Sequence, residues 1–329
     1  MRIHSLSRRQ ALSVTVLMGA MCCTSGATWA DTFPSKPIKI VVPMPAGGGP
    51  DLVARVVGEK ISAQLGQPVV VENRPGAGAI LGASVVAKSD ADGHTLLLAP
   101  NTLAISAHVL PGTVNFKLQS ELTPVIAPVT TPMVLVTNPK TGVKSLSAAL
   151  ELMRTKPGMS VGSAGNGSPM HFAIEMFQLS TQVDLLHVPY KGVAPSLTAG
   201  VGGEVNYLFT PLGGAVPYIK AGQLVPLAVL EKQRTPLLPD VPTALEQGVK
   251  DVEIVGWYGL FAPKGTPAAA VDTINQAFNA ALQLDDVRNK LTTAGMTVLG
   301  GTPEQLTEYV KFDDERYGRL ARELKIQVD

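Results

Sequence analysis

The sequence predicts an α/β protein of two domains built on mostly parallel sheets. Short β-branched runs alternate with helical stretches along the chain, and Gly- or Pro-containing turns separate them. Alternation at this spacing is typical of βαβ units. The runs are apolar at nearly every position, which indicates sheets covered on both faces. Removing a 30-residue leader from the 329 residues leaves 299, enough for about two domains of ~100–200 residues.

The first half of the chain contains three strand–turn units. Ile38–Val42 precedes the turn "PAGGGPD" and an apolar helical face that ends at Gly66. A strand at 69–71 leads into "RPGAG" and a helix of small residues, and a strand at 95–99 leads into "PNT". Because apolar residues recur at helical spacing before Gly66, we expect a helix there with a glycine stop.

The second half repeats this pattern. The run "VGS" at 161–163 precedes "AGNGSPMHF", in which Ser168 is placed to cap a helix with Pro169 at its first position. Strands at 185–188 and 205–209 lead into "PYKG" and "TP". Near the end, "TPEQ" from Thr302 has the spacing of a capping box.

Two extended segments are expected to cross between the domains. Residues 123–138 contain three prolines, which are rare in a central parallel strand. Residues 252–263, "VEIVGWYGLFAP", are the candidate return strand. The predicted limits are a leader at 1–30, a first domain at 31–128 and 250–329, and a second domain at 129–249.

The leader has the features of a secretory signal. Three arginines precede an uncharged stretch at 11–30 that ends in the small-residue motif "TWA". The pair Arg8-Arg9 leaves the twin-arginine and general secretory routes equally open. The two cysteines of the chain lie at 22 and 23, so the mature protein is expected to contain neither a disulfide nor a thiol. We expect it in the periplasm.

Charge and composition exclude several classes of partner. Removing the three leader arginines leaves 24 basic residues of 27 against 26 acidic ones. No basic stripe remains and aromatic residues are few, which argues against nucleic-acid binding. Outside the leader no apolar run reaches about 18 residues, so no membrane span is predicted.

The glycine loop is not a nucleotide-binding motif. A phosphate-binding loop needs a lysine and a hydroxyl after its last glycine, but Gly49 is followed by Pro50 and Asp51. The three consecutive glycines also have the wrong spacing for a dinucleotide fold. What remains is a strand-to-helix turn with bare amides at a helix N-terminus, which favours an anion. We interpret Asp51 as a helix cap, and a plain tight turn remains an alternative.

No catalytic or metal-binding constellation is predicted. Pro169 occupies the place of the closing glycine of a nucleophile elbow. His171 and Glu175, one helical turn apart, are interpreted as a surface pair. The carboxylates Asp51, Asp184 and Glu204 stand near element ends without any sign of pairing. We therefore expect no enzyme activity, no cofactor and no metal.

Polar groups follow the strands instead. Ligands of open α/β sheets bind at the carboxyl ends of the strands. Hydroxyls, amides and exposed backbone stand there, together with Lys191, which we interpret as a solvated or hinge-facing charge in preference to a ligand contact. Trp257 and Tyr258 are interpreted as hinge packing. Such loops on two domains would enclose a small polar ligand and release it by hinge motion.

Seven phrases carry a resemblance to a known family. They are "PSKPIKIVVPMPAGGGPDLVAR", "LGQPVVVENRPGAGAILGA", "DGHTLLLAP", "GSAGNGSPMHFA", "HVPYKGVAPSLT", "LLPDVPTALEQG" and "WYGLFAPKGTP". In this order they resemble the receptors of tripartite tricarboxylate transporters, often called Bug receptors. The resemblance implies a type II periplasmic-binding-protein fold of two α/β domains joined by two crossing strands, with the ligand in the interdomain cleft. It also implies a receptor, expected to be a monomer, that delivers a small carboxylate to a membrane permease.

The resemblance further implies a set of ligand-binding residues, contributed by loops of both domains. They are Met44, Ala46, Gly47, Gly48, Asp51, Asn101 and Thr102 from the first domain, and Gly165, Asn166, Ser168, Tyr190, Gly192 and Thr210 from the second.

The chain departs from the family pattern at several positions. Met44 replaces a usual phenylalanine, Pro50 replaces threonine or serine, and Thr210 stands where an aspartate is frequent. Threonine offers no negative charge to a ligand amine, so we expect a dicarboxylate or an aromatic acid without an ammonium group. The alternatives are a sensor that presents its ligand to a membrane kinase and an exported enzyme of unknown class.

Overall fold

The computed structural model describes residues 33–110, 116–324 and 326, and the predicted leader lies outside them. The strands are β1 (Ile38–Val42), β2 (Val69–Asn73), β3 (Thr95–Pro100), β4 (Leu122–Thr137), β5 (Met159–Ser163), β6 (Leu185–Pro189), β7 (Tyr207–Pro211), β8 (Val225–Val229), β9 (Val255–Pro263) and β10 (Thr297–Val298). The α-helices are α1 (Gly49–Leu65), α2 (Ile80–Ala87), α3 (Thr102–Val109), α4 (Leu118–Glu121), α5 (Leu146–Thr155), α6 (Pro169–Thr181), α7 (Val193–Gly202), α8 (Leu212–Lys220), α9 (Ala268–Leu282), α10 (Asp285–Thr293) and α11 (Pro303–Glu323).

The first domain is built on a mixed sheet. Its strand order is β2-β1-β3-β9-β4, with β10 on the far side of β4. The pairs of β1 with β2 and with β3 are parallel, whereas β9 runs antiparallel to both β3 and β4. The βαβ units are therefore parallel as predicted, and the antiparallel pairs come from the crossing strands.

The second domain shares strand β4 with the first. Its order is β6-β5-β7-β4, and β8 pairs with β4 on the other side. Residues 122–132 of β4 pair with β9, and Met133–Thr137 pair with β7. One 16-residue strand thus passes from one sheet into the other. The predicted α/β architecture with two crossing strands is confirmed.

Helices cover both faces of each sheet. On the first sheet, α1, α9 and α10 bury one apolar cluster around Ile61 and Phe278, and α2 and α11 bury another around Trp257. On the second sheet, α5 and α6 pack on one face, and α7 and α8 on the other. The apolar composition of the strands is explained by this double coverage.

The predicted helix ends are found in the structure. Gly66 ends α1 in the left-handed conformation at φ 68°, a conformation that glycine adopts without steric cost. The Ser168 hydroxyl accepts a hydrogen bond from the His171 N–H at 3.3 Å. Thr302 and Gln305 form the predicted reciprocal capping box. Among the described residues, no helix combines the length and apolarity that crossing a membrane requires.

Helix α11 contributes to both domains. Leu306 and Val310 belong to a cluster of the first domain, whereas Tyr317 and Ala321 belong to the cluster of the second. Tyr317 packs edge-on against Phe172 of α6, with ring centroids 4.9 Å apart. The same helix therefore joins the domains on the side of the crossing strands.

Candidate ligand-binding cleft

The strand registers bring the predicted loops to one junction. Pro100, the last residue of β3, pairs with Tyr258 of β9. Pro211, the last residue of β7, pairs with Met133 of β4, at the point where this strand enters the second sheet. The carboxyl ends of the parallel strands of both domains therefore face the place where the sheets meet, which is where α/β sheets bind ligands.

The loop after β1 is held by a network of hydrogen bonds beneath it. The Asp51 carboxylate accepts bonds from the Gly47 N–H at 2.9 Å and from the Asn73 amide at 3.0 Å. Arg55 donates to both Asp51 oxygens, at 3.1 and 3.0 Å. The Asn73 amide also donates to the Met44 carbonyl at 3.1 Å. Asp51 thus fixes the shape of the loop.

The interpretation of Asp51 as the helix cap is wrong. The N-cap position of α1 is Gly48, and Asp51 is the third helical residue, from which its side chain reaches back to Gly47. The hydrogen bond from Arg55 lowers the Asp51 pKa, so the group is an anion. It is 4% exposed and its oxygens are occupied by donors. The carboxylate therefore braces the loop and does not face the cleft.

The upper side of this loop presents main-chain donors. Within the part of the chain that the structure describes, the N–H groups of Gly48 and Gly49 donate to no protein acceptor. Ala46 and Gly47 are exposed, whereas the half-buried Met44 side chain packs towards the first-domain core. Free amides at the start of a 17-residue helix favour an anion.

Asn101 and Thr102 begin helix α3 at the next strand end. Asn101 is 3% exposed, and its amide donates to Asp313 of α11 at 3.1 Å. Its backbone N–H donates to the Trp257 carbonyl at 3.0 Å. Asn101 therefore positions the start of α3, and its side chain is not directed at the cleft. Thr102, the first helical residue, is half-buried there.

The loop after β5 is fixed by its own hydroxyls. Ser163 is fully buried and accepts a bond from the Gly165 N–H at 3.1 Å. The Ser168 hydroxyl donates to the Gly165 carbonyl at 2.6 Å and caps α6. Gly165 has φ +126°, a conformation open to glycine. Asn166 is exposed at the tip of this loop.

Two histidines support the same loop from below. The His171 Nδ1 accepts a bond from the Gly167 N–H at 3.1 Å. The His187 Nε2 lies 2.6 Å from the Ser163 hydroxyl, and the two imidazole rings stack with centroids 4.1 Å apart. Burial and the neighbouring His171 lower the His187 pKa to about 4, so this ring is neutral at neutral pH.

The predicted i,i+4 pair of His171 and Glu175 is found, but it is half-buried and does not lie freely on the surface. The His171 side chain is 12% exposed, and its Nε2 lies 3.6 Å from Glu175. Stacking on His187 covers the ring. Sequence spacing identified the i,i+4 pair, but His187 comes from another strand, so the burial had no local signal.

The remaining predicted residues also lie at strand ends of the second domain. The Tyr190 N–H donates to the Ser163 carbonyl, and the Gly192 N–H to the Ala164 carbonyl, both at 3.1 Å. Thr210 is 1% exposed, and its hydroxyl has no partner in the described part of the molecule. Lys191 is exposed. The predicted loops of both domains thus lie at the ends of strands that face the junction. Within these loops the side chains of Asp51, Asn101 and Ser168 form hydrogen bonds to other groups of the protein.

Three residues near the cleft, Tyr258, Asp313 and His187, were not among the predicted contacts. Tyr258 of β9 places its hydroxyl against Gly49, and burial raises its pKa. Trp257 is buried, as the hinge-packing interpretation requires, and its indole N–H binds Asp313 at 2.9 Å. Asp313 and His187 carry no recognisable motif, so only the tertiary structure reveals them.

The cleft offers donors to an anion and little acid or base machinery. Of its carboxylates, Asp51 is bound by Arg55, and Asp313 is buried beneath Asn101 and Trp257. In residues 33–110, 116–324 and 326 no cluster of three His, Cys, Asp or Glu side chains is arranged to hold a metal ion. The arrangement favours holding a small anion.

Comparisons with known proteins agree with this geometry. The model of the tripartite tricarboxylate transporter family receptor matches residues 53–326. Protein BugT of Bordetella pertussis is 37% identical over 298 residues, which cover 89% of this chain and 91% of BugT.

Two solved structures of similar proteins contain a carboxylate. Rpa4515 of R. palustris with adipate has a TM-score of 0.82 and 31% identity, covering 90% of this chain and 99% of that one. MatC of Rhodopseudomonas palustris with bound malate has a TM-score of 0.77 and 33% identity, covering 87% and 99%.

Proposed function

Because the chain belongs to the tripartite tricarboxylate transporter receptor family, we propose that it binds a small carboxylate between its two domains in the periplasm. We propose further that it delivers this acid to the membrane permease of such a transporter. One observation carries the proposal. The N–H groups of Gly48 and Gly49 have no acceptor among the described residues, and they lie at the junction that the second-domain loops also face.

The charges around the glycine loop support an anionic ligand that is bound without a paired cation from this loop. The cation beneath the glycine loop, Arg55, is bound to Asp51 and to Asn73. Recognition then depends on main-chain dipoles and neutral hydroxyls, which bind a carboxylate with charge-assisted hydrogen bonds. Such a site releases its ligand more easily than a buried ion pair would, as transport requires.

The ligand class follows from the second-domain groups. Thr210 supplies a neutral hydroxyl at the position where an aspartate is frequent in the family pattern. A hydroxyl is not an anion and does not neutralise the charge of an ammonium group. We therefore propose a dicarboxylate or an aromatic acid without an amine. Relatives whose structures contain adipate and malate support the dicarboxylate.

A thermal-shift screen with matched ligand pairs tests this proposal. Succinate and aspartate differ by one ammonium group, as do glutarate and glutamate, and adipate, malate and benzoate complete the panel. A ligand at a hundred times its Kd should stabilise the protein by about 2.7 kcal/mol. We expect a larger shift with the amine-free member of each pair. A preference for aspartate or glutamate would contradict the ligand class, and no shift with any acid would contradict the proposed function.

Delivery to a permease needs a separate test in cells. A strain that lacks this protein should lose uptake of the bound acid at micromolar concentration and regain it on complementation. Unchanged uptake together with a lost transcriptional response to the acid would instead favour the sensor.

A further inference from the structure

We infer that the Tyr258 hydroxyl is a ligand donor of the first domain, which completes the anion site formed by the amides of Gly48 and Gly49. The inference rests on the proposed function, since it names a donor for the same carboxylate. It assigns a binding role to a side chain of the crossing strand β9.

The three glycines of the loop each have a different reason to lack a side chain. Gly47 has φ +82°, where other residues are strained. A Cβ atom on Gly49 would overlap the hydroxyl and ring edge of Tyr258. Gly48 has ordinary backbone angles, φ −77° and ψ 171°, and a Cβ atom there would find its nearest neighbour, the Pro45 carbonyl oxygen, 3.4 Å away. Gly49 therefore makes room for Tyr258, and Gly48 leaves the cleft side open.

The position of Tyr258 is fixed by the sheet. Its backbone pairs with Pro100 at the end of β3 on one side and with Val129 of β4 on the other. Its ring packs against the same apolar cluster as Met44. The hydroxyl consequently reaches the N-terminal end of α1 from within a rigid strand, which gives it a defined geometry.

The protonation state suits a donor. Burial raises the Tyr258 pKa above its usual value of 10, so the hydroxyl keeps its proton at any physiological pH. Tyr258 is half-buried, and among the described residues no hydrogen bond to its hydroxyl offsets that effect. Unlike the Thr210 hydroxyl, this group is not a fully buried atom without a partner, so it is accessible from the cleft. A carboxylate bound to the free amides of α1 would accept a hydrogen bond from this accessible O–H group.

The phenylalanine variant tests the inference with little disturbance, because it keeps the ring and removes one oxygen. We expect Tyr258→Phe to raise the Kd for adipate and for malate, measured by calorimetry, by about ten- to a hundredfold, since the lost bond involves a charged group. The Tm of the ligand-free variant should match the wild type. Tyr309→Phe, on α11 outside the cleft, is the matched control and should leave both Kd values unchanged.

A second variant approaches the same hydroxyl from the other side. Gly49→Ala keeps Tyr258 but displaces its hydroxyl, and it should weaken adipate and malate binding as well. Wild-type Kd values in both Tyr258→Phe and Gly49→Ala would overturn the inference and leave the proposed function standing. Wild-type protein that binds no acid of the panel would instead overturn the proposed function, and the inference with it.

Discussion

The indole Nε1 of Trp257 donates a 2.9 Å hydrogen bond to the Oδ2 of Asp313, which joins crossing strand β9 to helix α11. The same oxygen accepts the Asn101 amide at 3.1 Å, so the start of α3 is tied to this point too. Asp313 is 5% exposed. Burial raises its pKa to about 6, because the two neutral donors compensate the charged form only in part.

This buried carboxyl predicts a stability that depends on pH. The Asp313 pKa is higher in the folded protein than the ordinary 3.8, so its contribution is fully present below pH 3.8 and is lost as pH rises through 6. Asp313→Asn keeps an acceptor for Trp257 and Asn101 but cannot ionise. We expect it to stabilise the protein at pH 8 by about 1–3 kcal/mol and to have little effect at pH 4. Melting curves from pH 4 to 8 measure this.

Asp240→Asn is the control for this experiment, since Asp240 lies exposed in a loop of the second domain. Its Tm should follow the wild type at every pH. If the difference between Asp313→Asn and the wild type stayed constant over the whole range, Asp313 would not titrate near 6.

The histidine stack predicts an acid-side loss of stability. The His187 pKa is lowered to about 4 from 6.5, so the neutral ring favours folding above pH 6.5, and this contribution is lost as pH falls towards 4. His187→Gln retains a partner for Ser163 without a titrating ring. We expect its Tm to fall less than that of the wild type between pH 6.5 and 4.5.

A nuclear magnetic resonance titration of the His187 ring checks the same point directly. The expected midpoint lies below pH 5, and a midpoint close to 6.5 would contradict the buried, neutral state on which the geometry of the loop depends.

The glycine loop predicts a separation of binding from folding. Gly48 adopts backbone angles open to any residue, and a Cβ would lie 3.4 Å from its nearest neighbour. Gly48→Val should therefore still fold, with a loss of about 1 kcal/mol because valine is a poorer N-cap than glycine, while its methyl groups obstruct the free amides. We expect the Kd for adipate and malate to rise at least about tenfold. Gly202→Val, at the far end of α7, should bind as the wild type does, and equal affinity in both variants would reduce the loop to a plain turn.

The buried hydroxyl of Thr210 predicts opposite effects on stability and binding. An unpartnered buried hydroxyl costs roughly 1 kcal/mol or more, and Thr210 lacks a partner among the described residues. Thr210→Val should raise the Tm of the empty protein and weaken carboxylate binding, because the ligand no longer satisfies that group. Differential scanning calorimetry with and without malate measures both. A lower Tm of the empty variant would show that the hydroxyl is satisfied already.

Local signals in the sequence were sufficient for much of the fold. Helix ends were predictable because Gly66 acts through its own left-handed backbone conformation, and Ser168 and Thr302 act through bonds to residues three positions away. The crossing strands were predictable because three prolines in 16 residues of β4 do not suit a central parallel strand.

The network beneath the loops was not predictable in the same way. Asp51 was interpreted as a cap from its local sequence alone. Its partner Asn73 lies 22 residues further on, and neither segment contains a signal that predicts the contact. Asp313 meets Asn101 across 212 residues. Such pairs depend on how the domains assemble, and a single sequence contains no trace of them.

Helix α11, which packs on both domains, has a consequence for how the protein is made. Strands β1 to β3 are synthesised first, yet their sheet lacks β9 until residue 263 and lacks Leu306 and Val310 until the last helix emerges. The core of the second domain likewise lacks Tyr317 and Ala321 until the last helix has been synthesised. Neither half has its full core until nearly the whole chain has been translated. The nascent chain therefore remains incompletely folded until the end of synthesis.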